Sequence, residues 1–262
     1  MNAQPQLTLE LRDVSKSFGS VQALDSVDFE VRDGEVMALV GDNGAGKSTL
    51  IKCVAGIHPV DSGEIFFEGK PVTIHGPKDA AKLGIEVVYQ DLALAPHLNP
   101  VQNVFLGREI PRKGILGHLG FMDEKQMRRQ ASASFSEIGA TVRSLTAPVG
   151  AMSGGQRQGI AIARAMAWAN KVLILDEPTA ALGVAQTAQV LALVKRLGEQ
   201  GLAVILISHN LHDIFEVADR ITVLRLGQNV AEYKRTETNQ QQVVEAITAG
   251  KLSKVPGQGA VA

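Results

Sequence analysis

The chain has 262 residues, of which 45% are hydrophobic, and it carries 26 Lys plus Arg against 27 Asp plus Glu. This length and composition can bury a sizeable core and fit one large domain, or one domain with a subdomain. The balanced charge gives no electrostatic reason to bind nucleic acid or anionic lipid, so we expect a folded globular protein without a nucleic-acid partner.

Cysteine content and hydropathy indicate the compartment. The single cysteine, Cys53, cannot form an intramolecular disulfide, and its apolar neighbours predict a small buried side chain in a reducing cytoplasm. The first ten residues lack the basic and apolar runs of a signal peptide, and no run approaches the ~20 apolar residues that span a bilayer. Any role at a membrane is therefore expected to come through a partner.

The N-terminal part of the chain has the patterns of strands. Residues 7–11 and 27–31 alternate apolar and polar side chains, and Asp33-Gly34 is a turn signal before the apolar run 36–40. That run suits a central strand covered on both faces, and a glycine-rich turn and a helical pattern follow it. Another short β segment is expected at 64–68.

Beyond these strands the pattern changes. From about residue 99 to 155 strand signals fade, and residues 124–138 mix charged and apolar side chains at helical spacing, which predicts a helical insertion. Two later apolar strands, 172–176 and 203–208, flank a helical stretch at 184–199. This β-α-β order implies parallel strands, so we expect an α/β fold.

A glycine-rich loop lies between the 36–40 strand and the following helix. It fits the pattern G-x-x-x-x-G-K-[ST] with Gly41, Asp42, Asn43, Gly44, Ala45, Gly46, Lys47 and Ser48, followed by Thr49. Its backbone N–H groups and the helix N-terminus can hold the phosphates of ATP. Lys47 is expected to reach the β- and γ-phosphates, and Ser48 to hold Mg²⁺. The alternative, a chance glycine turn, does not explain the strand–loop–helix context.

A second candidate half of the phosphate site is the acidic end of the 172–176 strand. Asp176 and Glu177 emerge at the carboxyl edge of the predicted sheet, where open α/β sheets bind ligands. Asp176 is expected to support Mg²⁺, directly or through water, and Glu177 to orient and deprotonate the attacking water. Taken alone, the pair fits a solvent-exposed strand end better; beside a phosphate loop, the catalytic interpretation is favoured.

The string Ser153-Gly154-Gly155-Gln156, in a chain that also has the phosphate loop, resembles the signature sequence of ATP-binding-cassette (ABC) ATPases. Three further residues follow the family's order. Phe18 resembles its adenine-stacking aromatic, Gln90 its glutamine-loop residue and Mg²⁺ ligand, and His209 its switch histidine. Singly these residues also fit core packing, a polar strand end and a helix start, but their joint order favours the resemblance, which covers roughly residues 7–235.

The resemblance implies a domain organisation within a single domain, 1–262. Residues 1–98 and 156–235 would form a P-loop NTPase core with a RecA-like parallel sheet and an N-terminal antiparallel β subdomain. Residues 99–155 would form a helical subdomain that ends in the signature, and residues 236–262 a C-terminal helix and a flexible tail. Residues 251–262 also have too little patterned apolar content to predict order.

The resemblance also implies a mechanism. Two cassettes would clamp two ATP molecules, each held by the phosphate loop of one chain and the Ser153–Gln156 segment of the other, so a second cassette, a second copy of this chain, is an expected partner. Two residues depart from the family. Met152 replaces a leucine and conserves its volume, whereas Gly183 replaces an aspartate and removes a carboxylate expected at the subunit contact.

Within the family, residues 88–94, 105–109 and 177–183 resemble the single-cassette importers of ribose, fructose and similar monosaccharides. This implies a transmembrane sugar permease, a periplasmic or extracellular sugar-binding protein, and a position at the cytoplasmic face of the cell membrane. Two alternative functions are disfavoured by the sequence. A soluble cassette ATPase acting on ribosomes or DNA is disfavoured by the balanced charge, the single cassette and the lack of a long coiled-coil insertion, and a phosphotransferase leaves Ser-Gly-Gly-Gln without a role.

Overall fold

The computed structural model describes residues 6–139, 142–180 and 182–249. The strands are β1 (Leu7–Phe18), β2 (Val21–Arg32), β3 (Val36–Val40), β4 (Ser62–Phe67), β5 (Lys70–Val72), β6 (Ile85–Val88), β7 (Val172–Asp176), β8 (Ala203–Ile207), β9 (Arg220–Arg225) and β10 (Gln228–Lys234). The α-helices are α1 (Lys47–Val54), α2 (Pro77–Lys82), α3 (Pro100–Phe105), α4 (Ile115–His118), α5 (Glu124–Glu137), α6 (Gly154–Trp168), α7 (Val184–Glu199), α8 (Leu211–Val217) and α9 (Gln240–Ala249). Short 3-10 turns lie at Val149–Ala151 and Arg235–Glu237.

The first sheet is antiparallel, with the strand order β2-β1-β4-β5. The alternation of side chains explains it, because Leu9, Leu11 and Val14 of β1 are buried with Phe29 and Val31 of β2, while the residues between them reach solvent. The strands predicted at 7–11 and 27–31 are confirmed. They form a hairpin that is longer than the alternation alone indicated, because pairing continues to the turn where Phe18 lies opposite Val21.

The second sheet has the order β10-β9-β3-β8-β7-β6. β3 runs parallel to both β8 and β9, β7 runs parallel to β8, and β10 is an antiparallel edge strand on β9. Every residue of β3 and β8 is buried, as two-sided coverage requires. The predicted parallel α/β sheet is confirmed, and its strands end at the edge that carries Asp176.

The chain divides into two compact units. One comprises the residues up to Val87, Asn170–Glu177 and the residues from Leu191 onward; the other comprises Val88–Ala169 and Pro178–Val190. The second unit has its own apolar core, built on helices α3, α5 and α6 from Val104, Phe105, Met127, Phe135 and Ile160. The assignment of 99–155 as a separate subdomain stays a prediction, and the expected tail at 251–262 lies outside the described residues.

Two expectations about the environment can be compared with this fold. Cys53 is buried on α1, and burial raises the pKa of its thiol to about 11, so it is a small apolar side chain, as expected. Across the part of the chain that the structure describes, none of the helices combines the length and apolar character that crossing a bilayer requires.

A buried ion cluster ties β9 to neighbouring strands of the first unit. Arg220 contacts Glu35 through Nη1 at 2.9 Å, and Glu30 and Glu232 through Nη2 at 2.9 and 2.6 Å. Burial raises the pKa of Glu35, although the guanidinium of Arg220 opposes this rise. Glu35 is therefore a buried acid whose ionised form depends on Arg220.

Arg220→Met removes this cation and leaves the Glu35 carboxylate with the backbone hydrogen bond from Arg32 N but without its ion-pair partner. We expect the free energy of unfolding to fall by about 3 kcal/mol at neutral pH. In the folded variant the pKa of Glu35 would rise further above its ordinary 4.5. The protonated carboxyl therefore stabilises the folded variant at low pH, and this stability is lost as the pH rises through the folded pKa. Urea unfolding should thus show a smaller deficit near pH 4.5 than at neutral pH.

Arg32→Met is the matched control, since Arg32 pairs with Glu30 at 2.6 Å but keeps 35% of its side chain exposed. Exposed pairs contribute about 0–1 kcal/mol, so this variant should unfold almost as the unaltered chain does. Equal deficits of Arg220→Met at the two pH values would contradict the account, because they would mean that Glu35 is not the charge left behind.

Candidate functional site

The phosphate loop connects β3 to α1 and is packed too tightly for side chains at two positions. Gly41 has φ 153°, and a Cβ there would lie 2.3 Å from the carbonyl oxygen of Leu224. Gly46 has φ 104°, and a Cβ there would lie 2.7 Å from the carbonyl oxygen of Ala23. Only glycine meets both conditions, because it lacks a Cβ and tolerates positive φ. The loop is therefore fixed by its neighbours before any ligand binds.

The loop ends at a helix terminus suited to an anion. Gly46 is the N-cap of α1, so no side chain covers the terminus, and the first N–H groups of a helix have no partner within it. These donors and the helix dipole attract phosphate. Within the loop, the carboxylate of Asp42 accepts a hydrogen bond from Asn43 N at 2.7 Å, and Ala45 N donates to Asp42 O at 3.1 Å.

Lys47 lies folded over the same loop. Its Nζ donates to the carbonyl oxygens of Gly41 at 2.7 Å and Asp42 at 3.0 Å. Burial lowers the pKa of Lys47, and the negative charges of Glu177, Asp176 and Asp42 oppose this shift. An ammonium group has three donors, so one remains for a phosphate oxygen beside the loop.

The two acids at the end of β7 form the other side of the site. Burial, and then the charge of Glu177, raise the pKa of Asp176, while Lys47 opposes this rise. Glu177 has φ 52°, a rare conformation for a residue with a side chain, and its N–H donates to Ile207 O on the adjacent β8 at 2.9 Å. Strained non-glycine residues of this kind are concentrated at functional sites.

His209 follows β8 and meets Glu177 beyond the ends of the two neighbouring strands. Its Nδ1 lies 2.8 Å from Oε2 of Glu177, and its side chain is 76% exposed, whereas that of Glu177 is 13% exposed. Although this contact is close, Oε2 accepts no well-oriented hydrogen bond from the described residues. The structure therefore brings together a buried carboxylate oxygen with acceptor capacity and an imidazole that reaches solvent.

The residues at this edge fit Mg²⁺. Asp176 is a half-buried carboxylate that a divalent cation would stabilise in its charged form, and Ser48 is an exposed hydroxyl in the first turn of α1. Carboxylate, hydroxyl, phosphate and water oxygens are the ligands of Mg²⁺, which seldom takes an all-protein cage. The described residues contain no group of three or more His, Cys, Asp or Glu that could hold a metal by themselves.

Phe18 lies at the hairpin turn between β1 and β2, with 44% of the residue exposed. It pairs with Val21, and Ala23, two residues further on, is the residue whose carbonyl crowds Gly46 of the phosphate loop. The hairpin that carries Phe18 is thus in direct contact with the loop. An exposed aromatic ring in this place can stack on the adenine of a bound nucleotide.

Gln90 and the signature residues belong to the second unit. Gln90 is exposed and follows β6. Ser153 is the N-cap of α6: Gln156 N donates to Ser153 Oγ at 3.3 Å, and Ser153 N donates to Gln156 Oε1 at 3.2 Å. This capping box leaves the Ser153 hydroxyl proton and the N–H groups of Gly154 and Gly155 to donate to an anion.

The signature helix makes one contact that the sequence pattern does not predict. Arg164, in the middle of α6, donates from Nη1 to Ala93 O at 2.7 Å and from Nη2 to Leu92 O at 3.1 Å. Leu92 and Ala93 have φ 61° and 45°, two successive residues in a conformation that side chains disfavour. Arg164 thereby holds the strained segment that follows Gln90 against the helix that begins at Ser153.

The geometry defines a class of protein. A buried parallel strand leads into a glycine loop and a lysine, and the next strands end in acids and a histidine, which is the arrangement of a phosphate-loop nucleotide-binding protein. The ABC transporter family matches residues 24–180, and the chain belongs to this family. The family resemblance of the signature string is thereby confirmed, and the roles of the individual site residues stay predictions.

The chain is also similar to curated proteins along nearly all of its length. It is 46% identical over 247 residues to the xylose/arabinose import ATP-binding protein of Sulfolobus acidocaldarius, which covers 94% of this chain and 96% of that protein. It is 46% identical over 253 residues to the fructose import ATP-binding protein of Rhizobium meliloti, with 96% of each covered. The ribose import ATP-binding protein of Yersinia pestis is 42% identical, and the chain spans 48% of it.

Solved structures agree with the fold. An ATP-binding cassette of an ABC transporter matches with a TM-score of 0.77 and 27% identity, covering 93% of this chain and 98% of that one. A dimeric cassette in a post-hydrolysis state, bound to ADP and Pi, matches with a TM-score of 0.74 and 25% identity, covering 87% and 98%. The predicted P-loop α/β fold is therefore confirmed.

Lys47→Ala tests the phosphate site. The change removes a charged donor from the loop, and a hydrogen bond to a charged group contributes about 1.5–3 kcal/mol, so the dissociation constant for ATP should rise about tenfold to a hundredfold. Titration calorimetry would measure it. Lys52→Ala is the control, because Lys52 is an exposed lysine on the same helix and should bind ATP normally. Equal effects of the two changes would show that only the general charge of α1 matters.

Proposed function

We propose that this chain is the ATP-binding and ATP-hydrolysing subunit of an ABC importer that takes up a simple sugar, of the ribose or fructose kind, across the cytoplasmic membrane. The observation that carries the hydrolytic part is the meeting of Glu177 and His209 beyond the ends of β7 and β8, beside the strand and loop that position Lys47. The import part rests on the relatives whose names describe sugar import.

Glu177 is the proposed general base. Its Oε2 is buried and has acceptor capacity left, so it can orient a water molecule and accept its proton as the water attacks the γ-phosphate. The hydrogen bond from Glu177 N to Ile207 O holds the backbone that aims this side chain. His209 contacts the carboxylate and is largely exposed, and in this proposal it would contact the γ-phosphate and orient the carboxylate.

The nucleotide would be held by groups already described. The loop N–H groups and Lys47 would bind the phosphates, and Phe18 would stack on adenine. Ser48 and Asp176, with Gln90 by family resemblance, would hold Mg²⁺, which supplies positive charge to the phosphate oxygens when bound. The protein's part is to position these oxygens and exclude competing water.

The partner cassette would be a second copy of this chain. The start of α6 has N–H groups and a hydroxyl proton that can donate to an anion, which suits a γ-phosphate bound to the opposite chain. A dimeric cassette with ADP and Pi among the similar structures supports this arrangement. In the complete importer a membrane-spanning permease and an external sugar-binding protein would join the pair, at the cytoplasmic face.

Glu177→Gln keeps the side-chain shape and removes its basicity. ATP and Mg²⁺ should still bind, while hydrolysis falls about a hundredfold or more, in line with loss of general-base catalysis. If ATP joins two chains and hydrolysis separates them, light scattering with Mg·ATP should show this variant accumulating as a dimer.

Ser153→Arg in the same background tests what joins the chains. A bulky cation at the start of α6 would collide with the opposing nucleotide and leave the phosphate loop of its own chain unchanged, so the dimer should disappear while ATP still binds. A double variant that dimerises as strongly as Glu177→Gln alone would rule out the proposed clamp.

Purification of the tagged chain from gently solubilised membranes tests the import proposal. We expect a multi-span permease to co-purify, and the reconstituted complex to accumulate a labelled monosaccharide when ATP and the sugar-binding protein are supplied. The Glu177→Gln complex should assemble equally well and transport nothing. Recovery of ribosomes or DNA in place of a permease would favour the soluble cassette ATPase.

A further inference from the structure

The ring of Phe18 is held by two side chains that the phosphate site does not use. The ring of His58 meets it edge-to-face, with the centroids 5.0 Å apart and the planes at 73°. The ammonium group of Lys16 lies 5.6 Å from the same ring centroid. Both are favourable contacts of an aromatic ring, and with 44% of Phe18 still exposed they leave ring surface available for a ligand.

Lys16 is itself fixed in position. Its Nζ pairs with Asp61 Oδ1 at 2.5 Å, and its side chain is only 11% exposed. Two hydrogen bonds hold Asp61 against β1. Its Oδ2 accepts from Ser17 N at 2.7 Å, and its own N–H donates to Ser15 O at 2.9 Å. The hydrogen bond from Lys16 lowers the pKa of Asp61, so the pair stays charged.

His58 is fixed through its backbone. It lies in the turn that follows α1, and its N–H donates to Lys52 O at 3.2 Å, as does that of Ile57 at 2.8 Å. Gly56 starts this turn with φ 72°, and a Cβ there would lie 2.5 Å from Gly76, so the position requires glycine. The helix that begins at the phosphate loop thus ends in a hydrogen-bonded turn that brings the imidazole to Phe18.

Holding the Phe18 ring in one orientation before the nucleotide binds increases the affinity. An exposed aromatic side chain that rotates freely must be ordered when a base stacks on it, and this costs affinity, whereas a ring held in place beforehand does not incur the cost. The hairpin turn that carries Phe18 adjoins the phosphate loop through Ala23 and Gly46, so a ring fixed here is fixed relative to the bound phosphates.

We propose that His58 is a positioning residue for nucleotide binding, which holds the ring of Phe18 in the orientation that stacks on the base, with Lys16 as its second support. This inference rests on the proposed ATP-binding function and extends it to a residue outside the family motifs. His58 does not touch the nucleotide; it acts through Phe18.

The test compares His58→Ala with His58→Phe, which restores an aromatic edge. An aromatic pair contributes about 0.5–1.5 kcal/mol, so the dissociation constant for ATP should rise about twofold to tenfold in His58→Ala and return close to normal in His58→Phe. Titration calorimetry would measure this dissociation constant, with EDTA present to remove Mg²⁺ and so prevent hydrolysis. With Mg·ATP, the KM of His58→Ala should rise while kcat is unchanged.

Inorganic tripolyphosphate separates the base from the phosphates. It has no base to stack, so its affinity should be the same in all three proteins. A double-mutant cycle with Phe18→Ala adds the decisive comparison: once Phe18 is gone, His58→Ala should cause no further loss of ATP affinity.

Several results would overturn the inference. One is normal ATP binding by His58→Ala, and another is an equal loss of tripolyphosphate affinity, which would mean that the change disturbs the phosphate loop. Additive losses in the cycle would also contradict it, because His58 would then act independently of Phe18. Failure of the proposed function looks different: ATP binding by the unaltered chain would be absent or insensitive to Lys47→Ala.

Discussion

The close approach of two backbone carbonyls to the phosphate loop is the constraint on which the rest of the site depends. Leu224 O from β9 and Ala23 O from β2 occupy the space that side chains at Gly41 and Gly46 would need. Gly227, between β9 and β10, completes the enclosure, since its N–H donates to Ala45 O at 3.1 Å. Strands from both sheets thus set the direction of the loop's N–H groups, and Phe18 lies on β1, the hairpin partner of β2.

The acidic side of the site depends on local backbone strain at Glu177. A left-handed φ at a residue with a side chain costs on the order of 1–3 kcal/mol, and at Glu177 it is maintained by the bond to Ile207 O and the parallel pairing of β7 with β8. An extended residue here would continue the strand and turn the carboxylate away from His209. The strain is therefore the structural reason that the two side chains meet.

The sequence predicts those strands and helices whose hydrophobic pattern is set by their own residues. The all-apolar run Val36–Val40 and the helix Val184–Glu199 have the predicted bounds, because burial on both faces and helical periodicity are local properties. Arg220 and Arg164 could not be placed in this way. Arg220 depends on carboxylates from β2, β10 and the turn before β3, and Arg164 depends on the left-handed turn after Gln90. The local sequence pattern specifies neither arrangement. His58 was missed for the same reason, since its partner is distant in sequence.

Gly183 shows how a missing carboxylate can be compensated locally. It occupies the N-cap position of α7, where an aspartate would accept the first N–H groups, and glycine there costs only a few tenths of a kcal/mol. Gln186, three residues on, accepts from Gly183 N at 3.4 Å, which is half of a capping box, and its amide lies where a Cβ on Gly155 would need space. The side chain of Gln186 thus packs a neutral amide against Gly155 of the signature helix. A neutral amide adds no negative potential at the start of α6, the position proposed to meet an ATP phosphate.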